Sequence, residues 1–161
     1  MPRPKYPLQP LLEHRSRKVD AATAELADAI RAHDAAETAR ACAEQARDGA
    51  EAEARAIQDA EAGRLARGEL RAVDLARGQA WESATRGAIE RLADAADEAG
   101  RKAERAEDAE EGARAALAGA MAQRDVVARD RTRFEAAATR AEQARDEEAA
   151  EEASARRRSR G

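Results

Sequence analysis

His33 and Glu37 stand four residues apart, a spacing that would put an imidazole and a carboxylate on one face of a helix, as in helical metal pairs. Two ligands without a third make an incomplete site, and His33 also falls in a row of apolar residues, where a satisfied or solvent-reaching imidazole is the commoner outcome. His14 reads as an ordinary helix-surface residue. Cys42 is the only cysteine; it cannot form an internal disulfide, which points to a reducing cytosol. There is no glycine-rich phosphate loop, no cysteine cluster and no Ser-His-Asp set on a fold that could converge its members. The expectation is a protein with no catalytic, cofactor or metal site, whose function lies in what it touches. The basic tail, Arg156-Arg157-Arg158-Ser159-Arg160, could hold phosphate but reads first as a solvated helix end. Net charge is −4, with acids and bases interspersed, so no continuous basic face exists to displace counterions and no nucleic-acid partner is expected.

The elements that carry these residues follow from composition. Charged side chains make up 39% of the 161 residues and aromatics 2%, and most of the 43% hydrophobic fraction is alanine. Alanine buries too little surface to fill a globular core, since each fully buried Leu or Phe contributes ~1.5–3 kcal/mol and alanine a fraction of that. Together with Glu, Arg and Gln it is, however, the least costly helix interior. All four prolines fall within the first ten residues, where they are tolerated in an extended lead or a first helical turn. No apolar run approaches the ~20 residues of a membrane span, and nothing at the N-terminus resembles a signal-peptide core. Direct membrane insertion is therefore not expected.

Apolar spacing predicts two helices. Leu12, Val19, Leu26 and His33 recur every seven residues, beside Leu8, Ala22, Ala29, Ala36, Ala43, Ala50 and Ile57, with Arg15 interrupting the second row. After a segment containing Gly63, Gly68 and Gly78, the rows resume as Leu92, Ala99, Ala106, Ala113, Ala120, Val127, Phe134 and Ala141, flanked by Ile89, Ala96, Ala103, Leu117 and Ala138. Glu110, Arg124 and Arg131 intrude on the flanking row. Two such seams joined by a short turn predict an all-α fold, two long helices forming an antiparallel coiled-coil hairpin. Its parts are an extended lead (1–7), a first helix (8–65), a turn region (66–78), a second helix (79–141) and a helical overhang with the basic tail (142–161).

With the reversal centred near residue 71, facing residues have numbers that add to about 142. Leu8 then meets Phe134, Leu26 meets Ala116 and Leu117, and Ile57 lies between Trp81 and Ile89. Arms of roughly 55 to 60 residues would make a rod on the order of 80–90 Å long. Glu51 with Arg55 and Asp97 with Arg101 have the spacing of helix-surface ion pairs.

Tyr6-Pro7-Leu8, Leu11-Leu12, Arg15 and Arg17-Lys18-Val19-Asp20 resemble the opening of the YscO family of type III secretion proteins. Tyr6 to Leu12 are also similar to an aromatic-x-Leu-Gln-Pro-Leu-Leu pattern in the related flagellar FliJ proteins. Gly68, Leu75 and Trp81 resemble the YscO turn segment. The specific likeness covers residues 6–20 and, more loosely, 65–81. It implies a coiled-coil stalk, similar to the γ subunit of rotary ATP synthases, on the cytoplasmic face of the inner membrane. Such a stalk would insert into a hexameric secretion ATPase, promote its activity and link it to the export gate protein, with secretion chaperones as further candidate partners. The residues expected at the ATPase are Leu8, Leu11, Leu12, Val19, Val127 and Phe134, for which the bland alternative is a clamp against fraying. Leu65, Leu70, Val73, Leu75 and Trp81 form the candidate gate-docking tip, although Trp81 reads first as a core residue closing the turn. The composition also fits a dimeric structural scaffold or a disordered, stress-protective helix former.

Overall fold

A computed structural model describes residues 5–158. The chain is all-α: two long helices pack against each other as an antiparallel hairpin. Helix α1 runs Gln9–Ala66 and helix α2 Ala72–Arg158. Among the described residues no helix is long and apolar enough to cross a membrane.

Each boundary has a local cause. At the start of α1 the Leu8 carbonyl accepts the Leu12 N–H (3.0 Å), so Pro10 sits in the first turn, where its missing N–H leaves no bond unmade. α1 ends in a Schellman motif. The Gly68 N–H donates to the Leu65 carbonyl (2.9 Å) and the Glu69 N–H to that of Arg64 (3.0 Å). Gly68 has φ +68° and alone among the described residues adopts a positive φ, the left-handed conformation the motif requires. α2 then begins almost at once. Asp74 Oδ2 accepts the Arg71 N–H (3.0 Å), the return half of a capping box, and its charge sits in the first turn, where the helix dipole favours an anion.

These caps correct the expected turn. The connection is residues 67–71 instead of 66–78, and α2 starts at Ala72 instead of 79. Gly63 and Gly78 lie inside helices; one helical glycine costs only about 1 kcal/mol, which packing readily offsets. At the other end the lead was expected to be extended. Residues 1–4 lie outside the described set, but residues 7 and 8 form a turn, with the Gln9 N–H donating to the Tyr6 carbonyl (3.2 Å). The overhang is helical as far as Arg158 and carries Arg156, Arg157 and Arg158 in its last turn, where cations suit the dipole. Ser159 and Arg160 of the basic tail lie outside the described residues.

The chain divides into two compact units. In the terminal unit, α1 up to Leu26 lies with α2 from Ala113 onward, and Tyr6, Ala22 and Val127 are buried. In the turn unit, residues 27–112, the buried residues are Ala54, Ala96 and Ala103. Among the described residues no large side chain is fully buried, as expected of a two-helix seam made of alanine.

Candidate functional site

Burial alternates at intervals of three and four residues along both helices, the mark of a heptad seam. Ala103 is the most enclosed residue, 1% exposed, followed by Ala96 at 4%. Arg40 and Arg47, one and two heptads beyond His33, are half-buried and line one groove with Ala96 and Gly100. Their aliphatic stems occupy seam positions while their charged heads reach carboxylates on their own helix: Arg40 to Glu44 (3.0 Å) and Glu37 (3.4 Å), Arg47 to Asp48 (2.7 Å). Long side chains that keep the head in water can thus cover small residues.

Of the side chains that interrupt the apolar rows, Arg15 and Glu110 find partners across the hairpin, while Arg124 and Arg131 pair with Asp125 and Glu135 on their own helix. Arg15 donates to Gln123 in the terminal unit. In the turn unit His33 Nδ1 lies 2.7 Å from Glu110 Oε2, with 24% and 14% of the two side chains exposed. His33, a seam residue whose pairing with Glu37 was too incomplete for a metal site, and Glu110, an intrusion on the apolar row, form one bond. The Glu110 hydrogen bond, reinforced by Glu107 and Glu37, raises the His33 pKa above the ordinary histidine value despite burial that opposes it. His33 turns to Glu110 and not to Glu37 for its hydrogen bond. Among the described residues no three His, Cys, Asp or Glu side chains are placed to hold a metal ion. Cys42 is exposed.

The terminal unit holds a second polar contact, centred on Tyr6. Its hydroxyl is 2.7 Å from Asp130 Oδ2 and 3.3 Å from the Val127 carbonyl, and its ring packs on Phe134 with centroids 5.5 Å apart. Burial, seconded by the Asp130 carboxylate, pushes the Tyr6 pKa up to about 12. Phe134 thus meets Tyr6, two residues before the Leu8 of the facing arithmetic, and the turn at residues 7 and 8 adjoins this contact. Neither Tyr6 nor Asp130 stood among the residues expected at this surface; a tyrosine in a proline-flanked lead gives no periodic signal.

The six residues expected at the ATPase divide accordingly. Leu8 and Leu11 are exposed (43% and 38%), as is the adjacent-row Val126 at 66%. Leu12, Val19 and Phe134 are half-buried, and Val127 belongs to the core. At the turn, Leu65 (53%), Val73 (54%) and Leu75 (37%) are exposed, while Leu70 and Trp81 are half-buried. Trp81 lines two grooves, one with Ala54 and Ile89 and one with Ile57, Leu70 and Gly78, so it lies in the layer with Ile57 and Ile89 that the sequence placed it in. Arg55 pairs with Glu51 (3.8 Å) as expected. Arg101 pairs with Glu98 (2.9 Å) instead of Asp97, and Glu98 also gathers Lys102 and Arg105.

Comparison with protein-family models, with curated proteins and with solved structures finds no match for this chain.

Proposed function

We propose that the chain is the central stalk of a type III secretion export apparatus, binding and stimulating a hexameric secretion ATPase and linking it to the export gate. The observation that carries this reading is the behaviour of the Tyr6-Pro7-Leu8 element, whose sequence resembles the opening of the YscO family. Tyr6 anchors the lead to Asp130 and Phe134, and the same turn leaves Leu8 and Leu11 on the surface with Val126. Exposed aliphatics on a framework that is charged elsewhere suit a protein partner. A thin seam of alanine, with no fully buried large side chain among the described residues, also favours a protein whose stability is completed by binding. In this reading the exposed Leu65, Val73 and Leu75 serve the gate.

The test is hydrolysis by a purified secretion ATPase from the same source, titrated with the wild-type chain and with Leu8→Asp and Leu11→Asp. Both positions are exposed, so the variants should keep the helical circular-dichroism signal. Stimulation by wild type and its loss in both variants is the expected result. A wild-type chain that neither binds nor stimulates the ATPase would remove the proposal. Stimulation unchanged in both variants would move the ATPase surface elsewhere.

A further inference from the structure

Alanine seams are poor at specifying alignment. Ala29, Ala36, Ala43 and Ala50 on α1 and Ala96, Ala99, Ala103 and Ala106 on α2 repeat at seam positions, so sliding one helix by a heptad, with the reversal displaced by three or four residues, exchanges alanine for alanine in this part of the seam. Within the turn unit, the hydrogen bond of His33 with Glu110 joins the two helices through polar side chains and so carries a specific address. A one-heptad slip would bring Glu110 opposite Arg40, the next residue of the His33 row, and leave the imidazole facing an apolar layer without its acceptor. A single polar pair in a seam is an established means of choosing one register over its neighbours.

We propose that the His33–Glu110 bond is a pH-sensitive lock on the register of the two helices in the turn unit. The charged groups acting on the imidazole are all carboxylates: Glu110 and Glu107 on α2 and Glu37 on its own helix. Arg40, the nearest cation on that row, is held by Glu37 and Glu44, and Arg114 stands one helical turn beyond Glu110 on α2. Protonated His33 therefore binds its acceptor as an ion pair. Because the folded-state pKa is raised, the stabilisation is fully present below the unfolded histidine value and is lost as pH rises through the folded one. The lock is tightest in mild acid and slackens as pH rises. It does not depend on the stalk reading and is tested on the chain alone.

Urea unfolding midpoints should be compared at about pH 6 and about pH 8.5, a window above carboxylate titration, for wild type, His33→Ala, Glu110→Gln and the control His14→Ala. All are made in a Cys42→Ala background. Wild type and His14→Ala should have the higher midpoint in acid, and His33→Ala should lose that difference. Glu110→Gln keeps an acceptor without the charge, so it should shrink the difference while retaining the register. Spin labels at the exposed positions of Thr38→Cys and Glu104→Cys report register directly, since one heptad displaces them by about 10 Å along the axis. A single distance is expected in wild type at low pH, and a second population in His33→Ala. Retention of the pH difference by His33→Ala, or a single unchanged distance in that variant, overturns the proposal.

Discussion

Replacing Gly68 by alanine isolates the energetics of the turn, because an added Cβ meets no atom within 4 Å and only the backbone can object. The residue sits at φ +68°, where an L side chain costs roughly 1–2 kcal/mol. Loss of glycine's freedom in the unfolded chain returns about 0.4–1 kcal/mol, so Gly68→Ala should destabilise the hairpin by about 1 kcal/mol. Gly63, one turn earlier, is the control. It is helical, and a Cβ there would touch only the flexible end of Arg67 at 3.4 Å, so Gly63→Ala should stabilise by up to about 1 kcal/mol. The two variants add the same methyl group and should differ by about 2 kcal/mol with opposite signs, read as urea midpoints at constant slope. If Gly68→Ala is as stable as Gly63→Ala, the left-handed cap does not hold the turn, and the connection lies elsewhere in the glycine segment.

Trp81→Ala should lower stability by about 2 kcal/mol, less than the ~3–5 kcal/mol of a fully buried tryptophan because this one is half-exposed; a gate-docking role alone would leave the unfolding midpoint where it was. Tyr6 is the only tyrosine, so its phenolate absorbance reports the terminal contact without interference: it should appear near pH 12 in the folded chain, and Asp130→Asn should bring it down toward the ordinary value. Since the folded-state value is the raised one, the stabilisation from Tyr6 is complete below about pH 10 and fades as pH rises through about 12. A titration at the free-tyrosine value in the folded protein would mean that Tyr6 is not held against Asp130.

Two helices, their antiparallel pairing and their approximate register were legible in the sequence because a heptad pattern is local and cumulative: dozens of alanines need only their own spacing to define a seam. The matching of Ile57 with Trp81 and Ile89 followed from counting residues about a centre near 71. The Schellman cap at Gly68 and the Asp74 cap of α2 set the turn at 67–71, and three clustered glycines could not say which of them would turn left-handed. Choosing Gly68 needed the hydrogen bonds on either side of it. Tyr6 lies more than a hundred residues from Asp130 and Phe134 in sequence and meets them only when the chain reverses, and His33 likewise finds Glu110 in place of Glu37. Periodicity is a property of one helix and decides which residues face a seam; the identity of the partner across it depends on where the chain turns and how the lead folds back, and those are tertiary facts.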